Sequence, residues 1–202
     1  MTDKNTFADE VSDHDSLHAH PSPESHRWVA AILHRWPTAL GIAVAALAAF
    51  DVDDGLEFAA LTVLMALVYL GAAALDRRGA AWVVLLAGLA FLIPSTSGVG
   101  PSVVLLVAAP VFLVLGVARG QWQNPGGLPL QSAGMFAFGS IILVALFYVD
   151  PDLGGKLVGI AILSHAAWDA YHYLRDRVVT HSYAEFCAVC DLLLGAAILF
   201  MT

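Results

Sequence analysis

The sequence predicts an all-α integral membrane protein with seven transmembrane helices, a cytoplasmic N-terminus and an extracytoplasmic C-terminus. Of its 202 residues, 59% are apolar and only 13% are charged, and the mean hydropathy is +0.75. Soluble proteins carry roughly a quarter charged residues. The apolar residues also fall into runs close to the ~20 residues that a helix needs to cross a bilayer. A water-soluble globular domain is therefore excluded.

The charges and cysteines exclude two further classes of protein. The net charge is −8 and no segment is strongly basic, so we expect no nucleic-acid partner. The two cysteines, Cys187 and Cys190, lie inside an apolar run and are too few for a disulfide framework. We interpret them as small buried apolar residues, with a thiolate metal ligand from Cys187 as the alternative.

Residues 1–27 are predicted to be a disordered cytoplasmic tail, and residues 28–202 to form the transmembrane domain. The tail has almost no apolar side chains to bury, so burial cannot offset the entropy lost on ordering it. It carries much of the negative charge, through Asp3, Asp9, Glu10, Asp13, Asp15 and Glu24. Four histidines lie among these acids, and we favour a solvated tail over a weak metal site there.

The first three helices are predicted over residues 28–50, 55–75 and 80–93. Asp54 and Glu57 have the spacing of a capping box and predict where the second helix begins. The third run lies between the sequence DRRG and a stretch rich in proline, serine and glycine. This run is short for a bilayer, so we expect its helix to tilt little or to thin the membrane locally.

The other four apolar runs predict helices four to seven, over residues 102–118, 130–149, 153–174 and 183–201. The breaks between them contain the turn-forming sequences RGQWQNPGG and DPD. Asp152 is the predicted N-cap of the sixth helix, and Ser182 with Glu185 forms a predicted capping box for the seventh. Short breaks of this kind place consecutive helices antiparallel.

The orientation follows from the positive charges. With seven spans, one side of the membrane receives only Lys156. The other side receives the remaining eight basic residues: Lys4, Arg27, Arg35, Arg77, Arg78, Arg119, Arg175 and Arg177. Loops rich in lysine and arginine stay in the cytoplasm, which makes this a multi-pass protein of the plasma membrane with a cytoplasmic N-terminus.

Polar residues inside the spans mark the candidate functional site, because an ionisable side chain at the middle of a span is costly and usually has a role. His165, Asp169 and His172 stand at i, i+4 and i+7, on one stripe of the sixth helix. On the seventh helix, Asp191 lies at a depth between those of His165 and Asp169. Gln131, on the fifth helix, lies near the same depth. We expect these groups to converge in the inner half of the membrane.

Two imidazoles with carboxylates suit a divalent metal, with Zn²⁺ as the expected ion. Residues spread over two turns cannot all reach one ion, so we assign His165, His172 and Asp191 as metal ligands. Asp169 is the expected catalytic residue, which orients a ligand or accepts a proton. The expected function is a metal-dependent hydrolase or lipid-modifying enzyme, whose lipid-like or small-molecule substrate enters from the inner leaflet.

Two other interpretations of the same residues stay open. They could form a hydrogen-bond network that only joins two helices, in a structural or sensory membrane protein. They could also carry protons or cations through a transporter or channel. Helices two to five offer few polar groups above mid-depth, which disfavours a conduit.

The predicted architecture resembles that of the seven-helix zinc hydrolases, such as the adiponectin-receptor-like proteins and the alkaline ceramidases. The likeness consists of seven helices, a cytoplasmic N-terminus and an intramembrane set of histidine and aspartate. It implies a zinc-dependent hydrolase. Those families place ligands on early helices and in a terminal HxxxH motif, whereas the predicted spans two to five and seven of this chain lack histidine. No ligand is therefore carried over from them.

Overall fold

The structure is a computed structural model that describes residues 35–50, 52, 54–93, 99–124 and 127–201. This part of the chain is helical and has no strand. It contains seven α-helices: α1 (Trp36–Ala49), α2 (Ala59–Leu75), α3 (Ala80–Leu92), α4 (Val99–Ala118), α5 (Leu128–Phe147), α6 (Pro151–Arg175) and α7 (His181–Met201). Within the described residues, the predicted number and order of helices are confirmed, whereas a membrane crossing by all seven stays a prediction. The predicted tail lies outside the described residues, so the division into a tail and a membrane domain stays a prediction.

Four of the helices are long and apolar enough to cross a membrane: α2 together with the 3-10 turn before it, α4, α5 and α7. Two more, α1 and α3, are apolar but shorter. The remaining helix, α6, has 25 residues and is about 37 Å long. It is excluded from the apolar group by its composition, because it carries the histidines and aspartates of the candidate site. The chain is thus an all-helical protein of membrane character.

Several helix ends differ from the predicted ones. In the first predicted span, Arg35 forms a turn and α1 begins at Trp36, while residues 28–34 lie outside the described part. Helix α6 begins at Pro151 and is capped by the carboxylate of Asp150, which accepts from the backbone N–H of Leu153 at 3.1 Å. The prediction of Asp152 as the cap was wrong, because proline occupies the first helical position.

The other two predicted caps have different outcomes. Asp54 accepts a hydrogen bond from the backbone N–H of Glu57 at 3.3 Å, as predicted, and starts a 3-10 turn that leads into α2. At α7 the prediction of Ser182 was wrong. The hydroxyl of Thr180 accepts from the backbone N–H of Tyr183 at 3.3 Å, because α7 begins two residues earlier than predicted. Glu185 instead accepts a hydrogen bond from the hydroxyl of Thr38 on α1.

The centre of the helical body is α2. Nearly every residue from Ala59 to Ala74 is buried, and α2 contacts α3, α4, α5 and α6. By contrast, α4 exposes a row of valines that includes Val107, Val111 and Val114. An exposed apolar face of this size is unfavourable in water but is the normal outer surface of a helix in lipid.

Helices α6 and α7 pack closely along their length, and glycine makes this possible. A Cβ atom added at Gly195 would lie 2.9 Å from the backbone nitrogen of Leu163 and 3.0 Å from the carbonyl oxygen of Gly159. Any side chain there would push the two backbones apart. Small residues at such positions let helices approach closely in a membrane, where van der Waals contacts replace the hydrophobic effect as the source of stability.

Four arginines of the described links, Arg77, Arg78, Arg119 and Arg177, lie at one end of the bundle, whereas Lys156 lies near the start of α6, toward the other end. Arg78, in the turn between α2 and α3, forms an ion pair at 2.9 Å with Asp176, in the link between α6 and α7. Asp176 also lies 3.1 Å from the Nε2 atom of His181. Arg119 shares a surface cavity with Arg77 beside the same turn. We call this the arginine end of the bundle.

We expect Gly195→Ala to destabilise the protein by about 1–3 kcal/mol, because the added methyl group would overpack the contact between α6 and α7. Thermal unfolding in detergent would measure the loss. Gly79→Ala is the matched control, since a Cβ atom at Gly79 would meet no atom within 4 Å. Equal melting temperatures for the two variants would show that the close contact does not stabilise the fold.

Candidate functional site

A buried polar cluster lies between α6 and α7, and consists of His165, Asp169 and Asp191. The Nδ1 atom of His165 lies 3.2 Å from Oδ2 of Asp169 and 2.9 Å from Oδ2 of Asp191. The exposed fractions of the three residues are 0%, 0% and 2%, respectively. Ligand atoms from all three lie within 4.8 Å of one another. The structure thus brings together three of the four residues that the sequence singled out.

The local sequence explains this convergence. His165 and Asp169 are four residues apart, so they lie on the same face of α6, one turn from each other. Asp191 precedes Gly195 by one turn of α7 and therefore lies beside the closest approach of the two helices. Apolar helices surround the cluster, so its polar atoms depend on each other for partners.

Tyr69 of the central helix belongs to the site, although the sequence analysis did not identify it. Its hydroxyl donates a hydrogen bond of 2.6 Å to Oδ1 of Asp169, and its ring lies 5.6 Å from that of His165. A tyrosine in an apolar run is unremarkable by composition. The signal that could have found it is depth. Tyr69 stands six residues before the end of α2, and Asp169 stands six residues before the end of α6.

His172 lies outside the cluster, one turn from Asp169 toward the arginine end. Its Nδ1 atom donates to the carbonyl oxygen of Trp168 at 2.8 Å. Its Nε2 atom lies 2.9 Å from Nε2 of Gln131, and accepts from that amide group. Both ring nitrogens are therefore engaged away from the carboxylates, and His172 does not join the group that could hold an ion. Gln131 does lie near the predicted depth, but as a partner of His172.

Aromatic rings enclose the cluster on the α5 side. The ring of Phe138 lies 5.1 Å from that of His165 and 6.2 Å from that of Trp168. Trp168 packs against Gly134, where a Cβ atom would lie 2.9 Å from the indole ring. This shell separates the polar atoms from the lipid-facing surface. In such surroundings, electrostatic interactions are much stronger than in water.

The charges of the cluster do not balance by themselves. Two carboxyl groups face one imidazole, and if both were ionised, even a protonated His165 would leave one negative charge without compensation. A buried charge without compensation is strongly unfavourable. Among the described residues, the buried Nε2 atom of His165 also has no hydrogen-bond partner. Hydrogen bonds between these side chains therefore leave the site incomplete, and the group could hold a metal ion.

The cysteines do not belong to this group. Cys187 and Cys190 are both buried and are not joined by a disulfide. Cys187 stands one turn before Asp191 on α7, but the set of candidate ligand atoms among the described residues contains no sulfur. The interpretation of both as small buried residues agrees with their places in the core.

Comparison with known proteins does not assign the chain to a family. No protein-family model, no curated protein and no solved structure matches it. The likeness to the seven-helix zinc hydrolases therefore stays an expectation from architecture.

We expect Tyr69→Phe to lower the free energy of unfolding by about 1–3 kcal/mol, because it leaves a buried oxygen of Asp169 without its donor. Phenylalanine keeps the ring and creates no large cavity. Thermal unfolding would measure the effect, with Tyr148→Phe as control because the Tyr148 side chain is 80% exposed. If Tyr69→Phe unfolded at the same temperature as the control, the hydrogen bond to Asp169 would not stabilise the fold.

Proposed function

We propose that His165, Asp169 and Asp191 bind a divalent metal ion, with Zn²⁺ as the favoured ion, and that the protein is a membrane-embedded metal-dependent enzyme. The observation that supports this most directly is the pair of buried carboxylates facing one imidazole nitrogen. A divalent cation would neutralise both carboxylates while His165 stays neutral. Histidine binds metals as the neutral imidazole, through nitrogen, and aspartate binds them as the carboxylate, through oxygen.

The spacing of the candidate ligand atoms suits a small ion. Zinc is bound at about 2.0–2.2 Å by nitrogen and oxygen ligands in a tetrahedral arrangement, which separates neighbouring ligand atoms by roughly 3.3–3.5 Å. The observed separations from Nδ1 of His165 are 3.2 Å and 2.9 Å. These two separations are within a few tenths of an ångström of that spacing, and all three candidate ligand atoms lie within 4.8 Å of one another. Three protein ligands leave a fourth position, as in catalytic zinc sites.

The chain's own residues supply the orientation that such a site needs. Tyr69 holds one oxygen of Asp169, which directs the other oxygen toward His165. A hydrogen bond from a neighbouring side chain to a metal ligand fixes the orientation of that ligand. A bound Zn²⁺ would supply an activated water for attack on a carbonyl or phosphoryl group. With one oxygen bonded to Tyr69 and the other directed at the ion, Asp169 would act there as an oriented ligand. The proposed reaction is therefore hydrolysis or a related modification of a lipid-like or small-molecule substrate.

The proposed setting is the plasma membrane, crossed seven times with a cytoplasmic N-terminus. Six helices are apolar, and α6 turns its polar side chains toward α2 and α7. The arginine end would then be cytoplasmic, as the positive-inside rule requires. Asp169 lies about 9 Å from the last residue of α6, which places the cluster in the inner half of the bilayer.

A proton or cation path is the alternative, and the cluster's surroundings support it less. Beyond His165, away from the arginine end, the facing residues of α6 and α7 are apolar, including Ile162, Leu194 and Ile198. A conduit needs polar groups that continue to the other surface. An enzyme needs access from one side only.

Elemental analysis of the purified protein tests the proposal. We expect about one equivalent of divalent metal, and its loss in His165→Ala and in Asp191→Asn. His172→Gln is the matched control, because it changes a nearby histidine outside the cluster and should retain the ion. His181→Ala is a second control at an exposed site.

Metal-free wild-type protein would overturn the proposed centre. Measurement of proton flux in liposomes would then decide between the two other interpretations. Flux that is lost in Asp169→Asn would support a conduit, and its absence would leave a network that joins helices. Retention of metal by both cluster variants, in folded protein, would instead show that the ion binds elsewhere.

We further expect removal of the metal by a chelator to lower the melting temperature of the wild-type protein. A ligand that binds only the folded state stabilises it, by about 2.7 kcal/mol at one hundred times its dissociation constant. Re-addition of Zn²⁺ should restore the melting temperature. Asp191→Asn should show neither effect, and a chelator response equal to that of the wild type would contradict the assignment of Asp191.

A further inference from the structure

A cavity of about 540 Å³ opens at the arginine end of the bundle. It lies between the turn that follows α2, the segment between α4 and α5, and the link between α6 and α7. Its polar lining consists of Asp76, Arg77, Arg78, Gln121, Asn124 and Arg177. This volume exceeds that of a phosphate group several times over and suits the headgroup of a lipid.

The charge of this lining favours an anion. Arg78 is paired with Asp176 across the two links, and it also donates to the backbone carbonyl of that residue. This pair holds the walls of the cavity in place. Without Arg78, the lining carries two guanidinium groups, from Arg77 and Arg177, against one carboxylate. Guanidinium groups bind phosphate in a bidentate manner, with charge-assisted hydrogen bonds.

Amide groups add neutral donors beside the arginines. Asn124 donates a hydrogen bond of 2.7 Å to the side-chain carbonyl of Gln121. That bond uses the oxygen of Gln121, so its N–H groups stay oriented as donors. A phosphate oxygen accepts hydrogen bonds from donors of both kinds.

The inner walls of the cavity are apolar and lead toward the polar cluster. Ala72 and Ala73 line it, and they stand one turn after Tyr69 on α2. Leu128 lines it as well, one turn before Gln131 on α5. The cavity thus combines a basic part with an apolar wall, one turn from Tyr69, which contacts the cluster, and one turn from Gln131, which contacts His172. This polarity matches an amphiphile with an anionic headgroup.

Backbone strain in the same wall is a further sign of function. Val178 lines the cavity and has a φ angle of 69°, in the left-handed region. A β-branched residue rarely adopts this conformation, and such strain is concentrated at ligand-binding sites.

We propose that this cavity binds the phosphate-bearing headgroup of an amphiphile. The proposed binding follows from the residues that line the cavity. The role of the bound amphiphile as substrate rests on the proposed enzyme function. The chemistry recognised is a phosphate anion next to an apolar chain, and a lipid of the inner leaflet or a soluble phosphate compound could each provide the anion.

Binding to the purified full-length protein in a neutral detergent tests this proposal. The probes are a short-chain phosphatidylglycerol, the matching phosphatidylcholine and inorganic phosphate, each titrated while unfolding temperature and native mass are recorded. We expect saturable binding of phosphatidylglycerol, and weaker binding of phosphatidylcholine because its headgroup has no net charge. Tight binding of inorganic phosphate alone would assign the site to a soluble compound. Failure of all three probes to saturate would overturn the proposal.

Arg77→Gln is the decisive variant, and Arg175→Gln is its matched control. Both remove one positive charge at the same end of the bundle, but Arg175 packs over the ring of Tyr171 and does not line the cavity. We expect Arg77→Gln to weaken phosphatidylglycerol binding roughly tenfold, as for the loss of a charge-assisted hydrogen bond. Arg77→Lys should have an intermediate effect. Equal losses in Arg77→Gln and Arg175→Gln would indicate attraction to surface charge and overturn the site.

The metal content of the same samples separates this proposal from the proposed enzyme function. Arg77→Gln should keep the metal content of the wild type, because Arg77 lies outside the cluster. Wild-type protein that binds phosphatidylglycerol but contains no metal would support the headgroup site and overturn the enzyme. Metal-containing protein that binds no phosphate probe would do the reverse.

Discussion

The burial of two carboxylates in an apolar helical body is the constraint on which the rest of this structure depends. Asp169 and Asp191 are almost fully buried, where an uncompensated charge costs several kcal/mol. Compensation requires close neighbours, and α6 and α7 can supply them only where glycine lets their backbones approach. The third partner, Tyr69, comes from the central helix. The cluster and the close contact between α6 and α7 are therefore parts of one arrangement.

This constraint also explains which helices lie at the centre of the bundle and which face outward. Helix α6 carries too many polar residues to face lipid on all sides, so α2, α5 and α7 cover its polar stripe. Helix α4 has no ionisable side chain and can expose valines along most of its length. The arginines of the helix links lie at the arginine end, outside the buried interior that holds the cluster. Composition thus decides which helices are central and which face outward.

The sequence was sufficient for the helices and for most of the site, and its failures have physical causes. Long apolar runs and turn-forming breaks predict seven helices, because hydropathy is additive along the chain. Helix caps depend on single residues. Because of Pro151 and Thr180, α6 and α7 each begin two residues earlier than predicted. The pair of His165 and Asp169 follows from helical spacing, whereas the contact with Tyr69 depends on packing between distant helices. His172 shares their stripe, but a seven-residue separation is about 10 Å along the axis, and nearer partners engaged both of its nitrogens.

The cavity at the arginine end and the buried cluster lie at different depths in the bundle. This difference determines how a ligand that reaches both would be oriented. A headgroup held by Arg77 and Arg177 would remain at the end of the bundle, because moving its charge inward would cost solvation that the apolar walls cannot replace. The part of the ligand nearest the cluster would then be uncharged, like a carbonyl or ester that a metal centre can polarise. A divalent ion at His165 would balance both carboxylates and supply a Lewis acid, whereas a single proton shared with Asp191 would leave one negative charge and supply none. The charge state of the cluster therefore decides whether this molecule can perform chemistry or only holds two helices together.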